Sequence, residues 1–284
     1  MSAAQGGGAG LPRIMAIVNC TPDSFYDRGA TYRHEEALRR AEEMLAQGAS
    51  IIDVGGVKAG PGPTVDAREE IERVVPVIAQ LHRSHPEALI SVDTWRAEVA
   101  QEAIAAGAGL VNDTWAGADP ELVEVAGAHR VGYACSHTGG ATPRTRPHRV
   151  HYDDVVADVI AETTALAERA VACGVPGEKI FIDPTHDFGK NSFHGLELLR
   201  RVDELVATGW PVLMALSNKD FVGETLDRPL RERVAGTLAA TAWAAARGVA
   251  AFRVHEVAQT ADVVRMTAAI QGTMAPLATI RGLV

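Results

Sequence analysis

The chain is short of cysteine, of excess basic charge and of long hydrophobic runs, and each shortage argues against a class of protein. Its three cysteines, Cys20, Cys135 and Cys173, form no Cys-x-x-Cys motif, so they predict free thiols in a reducing compartment. A formal net charge of -9 argues against sequence-independent binding of nucleic acid, which needs a basic face. The most membrane-like segment, residues 238–252, is short and is interrupted by Arg247, so no membrane partner is expected.

The composition fits one barrel-sized domain behind a short tail. A chain of 284 residues with 47% hydrophobic content can bury one large core, and α/β barrels of about 250 residues are routinely one domain. Residues 1–12 lack the basic and apolar regions of a secretion signal, so we expect a flexible tail there and a single domain over 13–284. Together with the free thiols, this predicts a cytoplasmic protein.

Short apolar runs alternate with longer amphipathic runs at nearly even spacing. The apolar runs predict strands near 13–20, 51–56, 89–93, 110–113, 130–135, 179–183, 211–216 and 250–254. The amphipathic runs predict helices near 33–48, 66–82, 95–107, 119–128, 152–173, 193–207, 229–247 and 257–270. Eight of each in strict alternation predict an α/β protein with a single closed (β/α)8 TIM barrel. The alternative, an open doubly wound sheet, lacks a Gly-x-Gly-x-x-Gly motif after its first strand.

Polar residues follow several of the predicted strands. Because the C-terminal ends of parallel barrel strands meet at one mouth, these residues are candidates for a common site. We expect that mouth to gather Asn19, Asp93, Asn112, Asp183, Lys219, Arg253 and His255. Three connections, at 21–32, 57–65 and 136–151, are long enough to be typical of functional loops.

Seven motifs occur in order along the chain, each at a predicted strand end. They are Asn19-x-Thr21-Pro22-Asp23-Ser24-Phe25, Asp53-x-Gly55-Gly56, Ser91-Val92-Asp93-Thr94, Val111-Asn112-Asp113, Asp183-Pro184 with Phe188-x-Lys190, Ser217-x-Lys219 and Arg253-Val254-His255. In this order they resemble the dihydropteroate synthases, pterin-binding transferases of folate biosynthesis. One such motif would be weak evidence, but seven that extend over nearly the entire chain are specific.

The resemblance implies a reaction in which a dihydropterin loses a diphosphate group and its methylene joins the amine of p-aminobenzoate. It implies substrate-binding roles for Asp93, Asn112, Asp183, Phe188, Lys219, Arg253 and His255. Catalytic roles are implied for Lys219, Arg253 and His255, of which the last two form a diphosphate clamp. Asn19 is implied as a ligand of Mg²⁺, an ion that prefers oxygen ligands and diphosphate oxygens. A cationic clamp and a metal stabilise charge on the leaving group.

Taken singly, these residues also have structural interpretations. Asp93 at a strand end could cap the following helix. Arg253 and His255 could be an exposed pair at the rim, and Asn19 could fix the turn that follows it. Lys190 could be a solvated loop charge, and Phe188 by itself is better explained as a packing residue.

The departures from the family pattern lie around the predicted mouth. After the second strand, the family's Gly-Gly-Glu-Ser-Thr-Arg-Pro-Gly is replaced by residues 55–62, Gly-Gly-Val-Lys-Ala-Gly-Pro-Gly. The threonine hydroxyl and the arginine guanidinium are therefore missing, and charge-assisted hydrogen bonds of this kind contribute roughly 1.5–3 kcal/mol each. Lys58 could restore a positive charge, but an ammonium cannot reproduce a planar bidentate guanidinium.

Further departures follow the fifth, sixth and seventh strands. The family's Met-His-Met-x-Gly becomes residues 135–139, Cys-Ser-His-Thr-Gly, with the basic segment 144–149 behind it. Two ring-side glycines become Thr185 and Asp187, and an arginine becomes Asn218. The predicted pterin floor is thus kept while the rim is rebuilt.

Two hypotheses follow. The first is a divergent paralogue that has lost ordinary dihydropteroate synthase activity but keeps a pocket for pterin, diphosphate or aryl-sulfone and sulfonamide ligands. The second is an active transferase that makes dihydropteroate or uses a related pterin or aryl-amine substrate, with Lys58 and the arginine-rich segment as substitutes. Pterin-dependent methyl transfer on the same barrel is a minor alternative, and nothing in the sequence suggests corrinoid attachment. The resemblance also implies a homodimer that uses late helices such as the alanine-rich stretch 235–246.

Overall fold

Eight parallel strands form a barrel at the centre of the chain, in a computed structural model that describes residues 10–21, 29–145 and 151–281. The strands are β1 (Arg13–Asn19), β2 (Ile51–Gly55), β3 (Leu89–Asp93), β4 (Leu110–Asp113), β5 (Gly132–Ser136), β6 (Ile180–Asp183), β7 (Leu213–Met214) and β8 (Ala251–Val254). Their order is β6-β5-β4-β3-β2-β1-β8-β7. A parallel bridge between Ile182 and Val212 joins the two ends of this order and completes the ring. The predicted barrel is confirmed, and the doubly wound alternative is wrong.

Helices cover the outside of the barrel. They are α1 (Gly29–Ala46), α2 (Ala67–Ser84), α3 (Ala97–Ala105), α4 (Leu122–Ala128), α5 (Val155–Ala172), α6 (Ser192–Arg200), α7 (Val202–Ala207), α8 (Asp220–Leu226), α9 (Val234–Ala245) and α10 (Val257–Ile270). Glycines with positive φ, a conformation that commonly ends helices, follow α1, α3, α5, α7 and α9 at Gly48, Gly107, Gly174, Gly209 and Gly248. Within the described residues, no helix is long and apolar enough to cross a membrane.

The strict alternation of eight helices with eight strands is wrong in two places. The predicted helix 193–207 is divided between α6 and α7 at Arg201, where the backbone leaves the helical region with φ -109° and ψ 25°. The guanidinium of Arg201 binds Asp154 and Glu204, so side-chain contacts compensate for the break. The connection after β7 also contains the short helix α8, and α9 starts only at Val234 instead of near 229.

Other differences are at element ends. The helix predicted from 33 begins at Gly29, so it takes up the end of the loop predicted over 21–32. Residues 22–28 and 146–150, which belong to two of the long predicted loops, lie outside the described residues. The predicted tail is described only from Gly10 onward, and residues 282–284 also lie outside the described part.

Two apolar layers position the site. Inside the barrel, a floor is made by Met15, Ile51, Leu110, Ala134, Phe181, Leu213 and Ala251. Between the strands and the helices, a larger core contains aliphatic side chains such as Val54, Ile78 and Leu198. The floor closes the barrel interior from below, so polar residues one step further along each strand face the mouth.

Candidate functional site

Strand alternation places a layer of polar side chains directly above the apolar floor. In β2, Ile51 belongs to the floor, and Asp53 two residues later therefore points to the same interior. Asp53 pairs in register with Ser91 of β3, and Asp93 pairs with Asn112 of β4. These neighbouring strands consequently bring carboxylates and an amide together at the predicted mouth.

Arg253 is the centre of this polar layer. Its Nε donates to Asp53 Oδ2 at 2.6 Å, and its Nη2 donates to Asp93 Oδ2 at 2.6 Å. Asn112 Nδ2 donates to the same Asp53 oxygen at 3.1 Å, and Thr114 Oγ1 donates to Asp93 Oδ1 at 2.8 Å. The two carboxylates raise the pKa of Arg253 against the effect of burial, so this guanidinium remains charged.

Asp53 is a site residue that the sequence analysis did not single out. Its side chain is fully buried, and its Oδ1 has no hydrogen-bond partner among the described residues. A buried carboxylate oxygen without a donor is costly and marks a position where a ligand N–H could donate. The signal was present, because Asp53 is an inward-facing acid in a strand made otherwise of apolar residues and glycine.

Burial dominates the protonation of Asp93. It raises the pKa to about 6, while the Arg253 charge opposes the rise and the Asp53 charge adds to it. Asp93 does not cap the next helix, as its structural interpretation proposed. Arg96 is the N-cap residue of α3, and Asp93 contacts Thr114 and Arg253 instead.

A second acid and a lysine lie on the other side of the mouth. Asp183 is buried and accepts a hydrogen bond from the Thr185 backbone N–H at 2.7 Å. Burial raises its pKa to about 6, against the charges of Lys219 and Arg253. The pKa of Lys219 is lowered by burial.

Phe188 contributes an aromatic face to this side. Its ring centroid lies 5.2 Å from Lys219 Nζ and 5.0 Å from the centroid of the Trp115 ring, which meets it edge to face. Phe188 therefore packs against Trp115, in agreement with its interpretation as a packing residue. It also lies against Lys219, a predicted substrate-binding residue.

The mouth itself is a cavity of about 340 Å³ between β1, β3, β8 and the second loop. It is lined by Ile17, Asn19, Thr21, Val57, Lys58, Ala59, Asp93, Arg253 and His255. Asn19, Arg253 and His255 thus meet as predicted, and Lys58 lines the same space. His255 is accessible from the cavity, yet surrounding protein and then the Arg253 charge lower its pKa to about 4, so its imidazole is neutral at pH 7.

Without a diphosphate, the described residues provide few ligand atoms for a magnesium ion. Asn19 supplies one neutral amide oxygen, and the nearby carboxylates of Asp53 and Asp93 are already bound to Arg253. Lys58 and Arg253 add positive charge to the same cavity. Mg²⁺ is usually held by one or two carboxylates together with phosphate oxygens, so this donor set fits the ion only when a diphosphate brings it.

Residues that depart from the family pattern at the rim form local hydrogen bonds in the structure. Thr185, Asp187 and Asn218 have left-handed backbones with φ of 49°, 71° and 57°, a conformation that glycine adopts most easily. Thr185 Oγ1 donates to the Asp183 carbonyl at 3.0 Å, and Asn218 Nδ2 donates to Glu256 Oε1 at 2.8 Å.

Asp187 binds the start of α8. Its Oδ2 accepts from the Asp220 N–H at 2.6 Å, and its Oδ1 accepts from the Phe221 N–H at 3.4 Å. Its charge also acts on Lys219 and opposes the lowering of that lysine's pKa. The side chain that replaces a ring-side glycine is therefore an anion close to a predicted pterin ligand.

The second loop is tied to the fifth connection through Arg144. Its Nη1 donates to the Pro63 carbonyl at 2.6 Å, and its Nη2 approaches the Gly60 carbonyl at 3.4 Å. This arginine comes from the basic segment 144–149, of which only Arg144 and Thr145 are described. A guanidinium thus reaches the loop that has lost its own arginine, although from a different part of the chain.

Lys190 is not the solvated loop charge that its local sequence allowed. It is buried, and its Nζ donates to the carbonyls of His137 at 2.9 Å, Phe188 at 3.0 Å and Thr185 at 3.4 Å. Burial lowers its pKa to about 7 against the nearby carboxylates, of which Asp183 is the largest contributor. The hydrogen bonds of Lys190 therefore stabilise the loop after β6 and connect it to the end of β5.

Comparisons with known proteins agree with this arrangement. The family model described as pterin binding enzyme matches residues 15–255. The chain belongs to this family, whose solved members include dihydropteroate synthases. It is 37% identical, with a TM-score of 0.84, to a Clostridium difficile dihydropteroate synthase solved in the presence of pteroic acid, over 92% of this chain and 97% of that one.

Two further relatives differ in what their names say. A Yersinia pestis dihydropteroate synthase in complex with a sulfonamide drug is 35% identical, with a TM-score of 0.84, over 92% of this chain and 95% of that one. A Mycobacterium leprae (strain TN) protein is 64% identical over 274 residues, which are 95% of this chain and 94% of that protein. That relative is called inactive dihydropteroate synthase 2.

Proposed function

We propose that this protein is a divergent dihydropteroate synthase paralogue that binds a pterin or diphosphate-type ligand without ordinary turnover. The pterin side of the site supports binding, because Asp53 Oδ1 lacks a partner in the described part of the barrel and Asp183 faces the same interior. Buried carboxylate acceptors of this kind suit the N–H donors of a pterin edge.

The second loop is the observation that carries the loss of turnover. At the rim it presents Val57, Lys58 and Ala59 to the cavity, and it has no hydroxyl or guanidinium side chain at residues 57–60. Arg253, the remaining guanidinium of the predicted clamp, is bound to Asp53 and Asp93. An incoming diphosphate would have to compete with two carboxylates for this group, so charge on the leaving group would be poorly stabilised. The name of the Mycobacterium leprae relative supports the same proposal.

The test combines binding with turnover on the same preparation. We expect calorimetric titration to show binding of the pterin diphosphate with Mg²⁺, while an assay for diphosphate release with p-aminobenzoate shows no turnover. Complementation of a strain without its own dihydropteroate synthase should fail in parallel. Growth without folate end-products, together with release at a rate typical of working enzymes, would overturn the proposal.

Active transfer is the second candidate, because two cations occupy the rebuilt rim. Lys58 lines the cavity and Arg144 reaches the second loop. If they replace the missing arginine, Lys58→Met should abolish diphosphate release from an active wild type. If the protein only binds, there is no release for this substitution to remove.

For magnesium, we propose binding only as a complex with diphosphate, through Asn19. Calorimetry should show no heat for Mg²⁺ alone and tighter diphosphate binding when Mg²⁺ is present. Asn19→Ala should remove the magnesium effect and leave most of the metal-free diphosphate affinity. Equal Mg²⁺ binding with and without diphosphate would contradict this.

The same pocket is proposed to accept sulfonamide-type ligands, as the Yersinia pestis relative does. Competition of a sulfonamide with p-aminobenzoate in the presence of pterin diphosphate tests this.

Free, buried Cys20 and Cys135 also support a cytoplasmic location, which fractionation of the source cells would check.

A homodimer is proposed through α8 and α9. An apolar cavity of about 330 Å³ lies between α6, α8 and α9, and Leu226 and Trp243 beside it are 46% and 45% exposed. Leu226→Arg should convert a dimer to a monomer in light scattering. Ile270→Arg on α10, where the side chain is 74% exposed, is the matched control and should leave the dimer intact. A monomeric wild type would contradict the proposal.

A further inference from the structure

A histidine and two carboxylates converge behind the mouth, between the end of β5 and α5. His137 Nε2 lies 2.9 Å from Asp158 Oδ2 and 3.3 Å from Glu162 Oε2. Asp158 and Glu162 are four residues apart on α5, so they project from the same face of that helix. All three ligand atoms lie within 4.8 Å of one another.

We propose that His137, Asp158 and Glu162 bind a divalent transition-metal ion of the zinc class. Zinc bonds to nitrogen and oxygen are about 2.0–2.2 Å long, so neighbouring ligand atoms lie about 2.8–3.1 Å apart around an octahedral ion and about 3.3–3.6 Å apart around a tetrahedral ion. The separations of 2.9 and 3.3 Å at His137 match such edges. The two edges at His137 therefore need little change to fit around one ion, and the ligand oxygens of Asp158 and Glu162 lie within 4.8 Å of each other.

The charges of the cluster favour a cation. A neutral imidazole has one N–H to donate, so His137 can donate to only one of the two carboxylates, whose negative charges repel each other within 4.8 Å. Within the described ranges, neither Asp158 nor Glu162 forms an ion pair with a lysine or arginine.

Lys190 is close but its hydrogen bonds go elsewhere. Its three N–H donors face the carbonyls of His137, Phe188 and Thr185. A bound cation would supply the charge that Lys190 does not deliver by direct contact.

The burial of His137 is a second, independent indication. Its side chain is 0% exposed, and Nδ1 has no hydrogen-bond partner among the described residues. Among the described residues, the polar contacts of the ring are therefore those of Nε2, and a buried polar ring with one shared hydrogen bond is poorly compensated. A metal bond at Nε2 would compensate for the burial more fully.

The donor set defines the class of ion. Imidazole suits zinc, copper, iron and nickel, whereas magnesium and calcium prefer oxygen ligands alone. The side chains of Asp158 and Glu162 are 44% and 49% exposed, so an ion bound here would have open positions for water or a further ligand. The residues belong to neither the cavity at the mouth nor the polar layer around Arg253.

The experiment titrates ZnCl₂ into untagged protein that has been treated with EDTA and dialysed. The wild type should bind one zinc ion per chain in calorimetry. The Asp158→Asn and Glu162→Gln variants should each bind it at least tenfold more weakly. Glu168→Gln removes an exposed acid from the same helix and is the matched control, which should bind like the wild type.

A melting measurement separates metal binding from a purely structural hydrogen bond. If the metal is the partner, zinc raises the melting temperature of the wild type and of Glu168→Gln but not that of Glu162→Gln. Without metal, Glu162→Gln should be at least as stable as the wild type, because it removes a repulsion. The proposal is overturned if the wild type and Glu162→Gln respond equally to zinc, or if zinc has no effect on either.

Discussion

Buried Asp183 carries an electrostatic cost that should appear in the free energy of unfolding. Burial raises the pKa of Asp183 from 3.8 to about 6. The folded state therefore prefers the protonated acid, and this contribution to stability is complete below about pH 3.8 and lost as pH rises through 6. At neutral pH the ionised acid costs on the order of 3 kcal/mol, since each pKa unit corresponds to about 1.4 kcal/mol.

Asp183→Asn should therefore stabilise the ligand-free protein at pH 7.5 by up to about 3 kcal/mol. The advantage should roughly halve by pH 5 and disappear below about pH 4, because there the acid is neutral as well. Denaturant unfolding at several pH values measures this. Asp153→Asn, at a fully exposed position, is the control, and an equal pH trend in both variants would contradict the explanation.

Thr185 stands where the family has a glycine, so substitutions at this position measure what the replacement costs in unfolding free energy. Its φ of 49° costs roughly 1–2 kcal/mol for an L-residue, while its hydroxyl gains hydrogen bonds to the Asp183 carbonyl and the His137 N–H. Thr185→Gly removes both the strain and the hydroxyl, so its unfolding free energy should stay within about 1 kcal/mol of the wild type.

Thr185→Val is the matched variant, because it keeps a branched side chain without the hydroxyl. It should destabilise the protein by about 0.5–1.5 kcal/mol, because the hydrogen bonds of the hydroxyl are lost while the His137 N–H and the Asp183 carbonyl stay bonded to each other at 3.1 Å. If both variants were equally destabilised in denaturant unfolding, the hydrogen bonds would not be what holds Thr185 in this conformation.

Sequence reasoning identified charged residues better than it identified their surroundings. It placed Arg253 at the mouth, but it did not reveal that Asp53 would engage its guanidinium. It also left Lys190 open as a solvated charge, because three backbone carbonyls cannot be seen in a residue pattern. Such environments depend on loop geometry, which local sequence does not specify.

At the scale of elements, the second loop depends on a residue from another connection. Arg144 donates to the carbonyls of Pro63 and Gly60, and a hydrogen bond from a charged donor contributes about 1.5–3 kcal/mol before solvent screening. Arg144→Met should therefore open the loop locally by roughly 1 kcal/mol, which is about fivefold in the population of the open form.

Limited proteolysis or amide exchange over 57–65 measures this opening. Arg68→Met is the matched control, because Arg68 pairs with exposed Glu72 on α2 and contacts no loop carbonyl among the described residues. Faster exchange in both variants would point to a general loss of stability instead of a local one.

Element boundaries were predictable where periodicity alone decides them. The bounds of β3, β4 and α10 agree with the sequence pattern, since these are uninterrupted runs with clear ends. The division at Arg201 and the extra helix α8 were missed because tertiary contacts create them. Arg201 reaches Asp154 from a distant part of the chain, and Asp187 caps the first N–H groups of α8.

At the scale of the whole molecule, the barrel was predictable because the βα pattern repeats eight times, and each repeat constrains the others. The end of the barrel at which the site lies was predictable from the same rule, since the C-terminal ends of barrel strands share one mouth. Activity is harder to derive, because it depends on how several rebuilt loops act on one transition state. Residues that act in this way are not lost or regained additively.

The last prediction therefore concerns restoration of several loops together. Converting Val57-Lys58-Ala59-Gly60 to Glu-Ser-Thr-Arg returns a hydroxyl and a guanidinium to the rim, but Asp187 would still place an anion near Lys219. Diphosphate release should rise detectably only when Thr185→Gly and Asp187→Gly are added to the loop exchange. The two glycines alone serve as the control and should leave release at background. Rescue by the loop exchange alone would show that the second loop limits turnover and that the ring-side changes do not.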